Sequence, residues 1–81
     1  MNFDDTMIQM VWEKGQIIYG WDERFWRKDY YGWWMHRFDY GDRNSELGWE
    51  IDHIVPVSEG GTDSIFNLRP LYWRNNISRA A

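Results

Sequence analysis

Four polar residues near the C-terminus have the types and spacing of a hydrolytic site. Asp52 and His53 are adjacent, Asn67 follows His53 by fourteen positions, and Asn76 follows Asn67 by nine. Histidine changes charge nearest neutral pH, so His53 is the natural general base, able to take a proton from water. A neutral imidazole in that role needs its other ring nitrogen held by a carbonyl or carboxylate, and a loop pinned across itself by Asn67 could present the carbonyl. A hard divalent cation takes oxygen ligands. Asp52 offers a carboxylate and Asn76 an amide oxygen, a thin set that suits Mg²⁺, which keeps several waters, with Mn²⁺ as the second choice. Neighbours on a strand point to opposite faces, so Asp52 and His53 can serve one site only near a strand end. Pro56 puts that end close by. Taken alone, an Asp-His pair is more often an ordinary surface or core feature, and this reading stays open on the four residues by themselves.

The surrounding residues carry more. The run Gly48-Trp49-Glu50-Ile51-Asp52-His53-Ile54-Val55-Pro56, the loop Gly60-Gly61-Thr62-Asp63, then Asn67-Leu68-Arg69-Pro70-Leu71 and Asn75-Asn76 resemble the HNH endonuclease family. Its pattern is Asp-His-Ile-x-Pro, a Gly-Gly-x-Asp loop, Asn-Leu, and a His or Asn nine residues later. The likeness covers residues 48–79. It implies an α+β fold in which a C-terminal ββα-metal motif, 48–81, closes a single domain of 81 residues behind a scaffold, 1–47, made of a helix and aromatic segments. It also implies roles: His53 as general base, Asn67 as the loop brace, Asp52 and Asn76 as metal ligands, and phosphodiester hydrolysis leaving 5′-phosphate and 3′-hydroxyl ends. Asn75 competes with Asn76 for the last position, and the nine-residue spacing favours Asn76. Residues 11–48, with Trp12-x-Lys14-Gly15, Arg27-x-Asp29 and Tyr40-Gly41, are similar to a small bacterial and phage subgroup of that family. Many members use Cys pairs to bind a structural zinc. This chain has no cysteine, so its aromatic half is expected to replace that staple.

The elements that must position these residues read as follows. Thr6 to Gly15 is a short helix, with Thr6 and Gln9 as a capping box, Met7, Ile8, Val11 and Trp12 on one face, and Gly15 as its stop. Ile17–Tyr19, Arg24–Lys28 and Gly32–Phe38 are short extended candidates, and 41–45 is a turn. Trp49 to Ile54 alternates as a strand. Leu68 to Tyr72 is a second strand that tolerates Pro70 only at an edge. Trp73 to Arg79 is a terminal helix. The motif is thus strand, long loop, strand, helix.

Composition sets the frame. Seven Trp, five Tyr and four Phe are first a means of building a core from few residues, and a base-stacking platform is the alternative. The absence of cysteine excludes disulfides and Cys-ligated zinc. No apolar run approaches the ~20 residues of a membrane span, and Met1 to Asp5 lacks a basic leader, so a cytoplasmic, membrane-free protein is expected. The net charge of −4 weighs against a nucleic-acid binder, but the charges are polarised. Residues 44–63 hold Glu46, Glu50, Asp52, Glu59 and Asp63 with no Lys or Arg, whereas Arg69, Arg74 and Arg79 follow with no acid. The acids suit a cation, and the arginines, together with Lys28, suit phosphates. His36, among aromatics, reads as structural. Nucleic acid is the expected partner, DNA first. So short a chain could work as a homodimer or with a protein partner. Two other readings stand beside the enzyme: a non-catalytic binder of nucleic acid or of a nuclease, such as a phage-encoded inhibitor, and an interaction module built on exposed Trp and Tyr. Only the enzyme needs Asp52 and Asn76 to share a cation.

Overall fold

The structure, a computed structural model, describes residues 2–80. It is an α+β domain with two small sheets and two short helices. Helix α1 spans Asp5–Trp12. Strands β1 (Gln16–Ile17), β2 (Trp26–Lys28) and β3 (Trp34–His36) form an antiparallel sheet in the order β1-β2-β3. Strands β4 (Trp49–His53) and β5 (Leu68–Tyr72) form a separate antiparallel pair, and helix α2 (Trp73–Ala80) leaves β5 without a linker.

Helix α1 starts earlier than its sequence pattern indicates. Asp4, not Thr6, is the N-cap: its carboxylate accepts from the Met7 amide at 2.8 Å. An Asp cap followed by Asp5 in the first turn also complements the positive end of the helix. Gln9 is therefore mid-helix, where its amide donates to Glu13 and accepts from Arg37. The helix ends before Gly15 because Lys14 and Gly15 bond back only three residues, to Val11 and Trp12, tightening the last turn.

Ile8, Val11 and Trp12 of α1 pack on Met35, Trp49 and Leu68. The Trp12 and Trp49 ring centres lie 5.2 Å apart. This core uses few of the aromatics: Trp12, Trp49 and Tyr72 are buried, while Tyr19, Trp21, Tyr30, Tyr31, Trp33, Phe38 and Phe66 are exposed. The expectation that the aromatics chiefly fill a core holds for these three and, in part, for half-buried rings such as Phe3 and Tyr40 that pack against it. An 81-residue domain encloses too little volume for the rest.

Two buried charges tie the halves together. Arg27, on the inner face of β2, donates to the carbonyls of Glu13, Gly15 and Glu23, all at 3.0 Å, closing the end of α1. Asp29, fully buried, accepts four hydrogen bonds: the amides of Tyr31 and Trp33 on Oδ1, and the Tyr72 amide and Asn75 Nδ2 on Oδ2. One carboxylate thus fastens the turn after β2 to the junction of β5 and α2.

Candidate active site

The register of the β4–β5 pair sets the site. Asp52 lies opposite Arg69 and His53 opposite Leu68. Alternation sends Asp52 to the side covered by α2, and His53 to the side of Leu68 and the N-terminal segment, where Phe3 lies 6.2 Å from its ring.

His53 ends β4, and its Nε2 is 2.7 Å from Asp63 Oδ1. A carboxylate only accepts, so in the neutral ring the proton sits on Nε2 and the lone pair on Nδ1. The loop does hold the imidazole, as the sequence led one to expect, but with a side-chain carboxylate instead of a backbone carbonyl. Asp63 belongs to the Gly-Gly-x-Asp motif, yet nothing in that motif marks its partner. The only clue is that the loop returns to the strand it left.

Asn67 is what makes the loop return. Its Oδ1 accepts from the Val55 amide at 2.8 Å, and its Nδ2 donates to the carbonyls of Val55 (3.1 Å) and Thr62 (2.8 Å). Its own carbonyl accepts from the Ile54 amide at 2.8 Å. The glycine pair permits this closure. Gly60 adopts φ 93°, and a Cβ on Gly61 would fall 1.7 Å from the Val55 carbonyl oxygen.

On the other side, the buried Asp52 carboxylate accepts from Arg69 Nε at 2.8 Å on Oδ2 and faces Arg79 Nη1 at 3.2 Å on Oδ1. Burial opposes the Arg69 charge, but the hydrogen bond and charge of Asp52 outweigh it and raise the guanidinium above its ordinary value. Arg79 also donates through Nη2 to the Ile54 carbonyl. Asn76 sits one helical turn before Arg79, and its Nδ2 donates to Glu50 Oε1 at 2.9 Å. Burial pushes the Glu50 carboxyl up, but hydrogen bonds from Arg43 and Asn76 prevail and hold it below the usual carboxylate range. Asn75 points the other way, to Asp29.

Asp52 and Asn76 therefore lie on the facing sides of β4 and α2, but each is engaged elsewhere, and no group of three or more His, Asp or Glu among the described residues is arranged around a metal. The donor chemistry still fits a hard divalent ion. Asp52 offers a carboxylate, and the Asn76 amide oxygen takes no hydrogen bond among the described residues. A cation held there would have to compete with Arg79 for Asp52 Oδ1. Of the other sequence candidates, Arg74 is exposed over the Trp73 ring, 3.8 Å from Glu46, and Lys28 lies over Trp34 on β2. His36 accepts from the Phe38 amide within an aromatic cluster, a structural place.

Comparison with known proteins agrees with this motif. Residues 41–78 match the family model described as HNH endonuclease. No curated protein and no solved structure matches the chain. No helix among the described residues is long and apolar enough to cross a membrane.

Proposed function

From the match of residues 41–78 to the HNH endonuclease family model, we propose that the protein is a metal-dependent endonuclease that hydrolyses phosphodiester bonds in nucleic acid, DNA first. The observation that carries the reading is the His53–Asp63 pair, held at the end of β4 by the loop that Asn67 braces. With Nε2–H committed to Asp63, Nδ1 is free to take a proton from a water. That water's oxygen forms a bond to phosphorus as the bond to the 3′ oxygen breaks in line. The proton ends on Nδ1, and the departing oxygen is protonated from solvent, giving 5′-phosphate and 3′-hydroxyl products. Asp52 and Asn76 would hold the divalent ion, Mg²⁺ in the first instance, which supplies charge stabilisation to the phosphate and the leaving oxygen.

Nicking of supercoiled plasmid with Mg²⁺, with Mn²⁺ and with EDTA tests the reading. Cleavage that needs the divalent ion and disappears in a folded His53→Ala protein supports it; cleavage unaffected by either removes it. The competing reading, a non-catalytic binder on the same fold, is favoured by one observation, the Arg79 guanidinium against Asp52. A protein that binds oligonucleotide but no Mn²⁺, and never cleaves, would decide for it.

A further inference from the structure

In a chain of net charge −4, one groove has cationic walls and no carboxylate. It has a volume of about 650 Å³ and lies between the two sheets, where Lys14 from the end of α1, Lys28 of β2, Tyr30, Ile54, Arg69 and Pro70 line it. That volume falls within the range of pockets that enclose drug-sized ligands, and a nucleotide unit is of that size.

We propose that this groove binds a single-stranded stretch of nucleic acid and leads it past the site, a proposal that rests on the nuclease reading. Lys28 has no carboxylate partner among the described residues; its ammonium lies over the Trp34 ring at 5.8 Å and is available to a phosphate. Lys14 donates to the carbonyls of Ile65 and Leu68, which fixes the ammonium and leaves its third N–H. Arg69 is bound to Asp52, so it contributes field and lays its guanidinium 5.0 Å from the Tyr30 ring centre. Tyr30 is 70% exposed, and Tyr31 meets it edge-on at 5.2 Å. The ring is thus oriented by two neighbours while much of its surface remains in solvent. A row of cations attracts any polyanion, but an exposed ring beside it finds a stacking partner only in an unpaired base, because duplex bases already stack on each other. Two residues of the groove wall adjoin the site. Ile54 follows His53 in the chain, and Arg69 holds Asp52. By contrast, two of the three C-terminal arginines are spent on Asp52.

The test measures binding to full-length His53→Ala protein in EDTA by fluorescence anisotropy. The probes are a 12-nucleotide single strand, a duplex of the same length, and inorganic polyphosphate, each over a salt series. The single strand should bind more tightly than the duplex. Tyr30→Ala should weaken the single strand about tenfold or more, leave polyphosphate unchanged, and be rescued by Tyr30→Trp. Lys28→Ala should lower the single-strand salt slope by about 0.7 and weaken polyphosphate too. Tighter duplex binding, or single-strand affinity and slope unchanged in both Lys28→Ala and Tyr30→Ala, would overturn the groove. If the wild-type protein nevertheless nicks plasmid, the nuclease reading survives that result. A protein that neither binds an oligonucleotide nor cuts overturns both.

Discussion

In the proposed mechanism His53 and Asp63 divide the work of one base between chemistry and orientation. Replacing His53 by Ala should lower turnover by about 10²–10⁴-fold, the usual contribution of a positioned base, with an unchanged far-UV circular dichroism spectrum. Asp63 touches no reacting atom and acts through the ring it holds. Asp63→Ala should therefore lower kcat about 10–100-fold, as loss of an orienting partner does, with KM nearly constant and partial recovery in Asp63→Glu. A drop confined to KM would mean that Asp63 serves substrate instead. The sequence proposed His53 as base and Asn67 as brace because types and spacings agreed at several positions together, and the Asn67 contacts are those of a brace. Asp63 stood in the same motif without a role, since pairing across a ten-residue loop depends on how Gly60, Gly61 and Asn67 fold it back, and no periodicity records that.

The junction of β5 and α2 presents adjacent asparagines to different tasks. Asn75 donates to the buried Asp29 carboxylate, whereas Asn76 lies toward β4 beside Glu50. Asn75→Ala strips a partner from a buried anion and should cost about 1–3 kcal/mol in urea unfolding while Mn²⁺ affinity stays the same. Asn76→Ala should do the reverse; the opposite pattern would put the helix one residue out of register. Just before them, Tyr72 ends β5 with its hydroxyl on Glu46 at 3.0 Å. Burial, reinforced by that carboxylate, raises its pKa above the ordinary value near 10. The folded chain therefore keeps this proton when the unfolded chain has released it. Its contribution is complete below pH ~10 and is lost as pH rises through the folded value. Tyr72→Phe should be less stable by about 1 kcal/mol near neutrality, and the two urea midpoints should converge above pH ~10. A constant gap up to pH 11 would contradict this. Helix α1 and β4 were legible from their apolar spacing, whereas β5 and the polar α2 were legible from their place in the strand, loop, strand, helix order. The start of α1 was not, because two acceptable caps compete and Asp4 wins. The role of Asp29 was hidden too, because an interior carboxylate looks like any surface acid until the amides around it are seen.

Across the whole molecule, charge is arranged against its sum. The two cations nearest Asp52 hold it in place, and a divalent ion reaching that carboxylate competes with Arg79 in particular. Arg79→Ala should strengthen Mn²⁺ binding several-fold in a paramagnetic titration, and weaker binding would assign Arg79 a supporting role instead. The polarised charges did suggest where an anion would go, but they pointed to the C-terminal arginines. Two of these, Arg69 and Arg79, lie on Asp52; the cationic groove keeps Arg69 and Lys28 from among the sequence candidates and adds Lys14, which follows α1.

The four-bond clasp at Asp29 has a practical consequence. With no cysteine in the chain, a reductant has no disulfide to open, and if catalysis needs a divalent ion as proposed, a chelator should reach it without reaching the Asp29 clasp. The protein should tolerate purification and storage in EDTA and dithiothreitol with its thermal midpoint intact, fall silent as a nuclease, and resume cutting within mixing time when Mg²⁺ is returned. A reversible off-state of that kind would let substrate be loaded first and turnover started on command. Loss of the cooperative melting transition in EDTA would show that the ion, and not the carboxylate, holds the domain together.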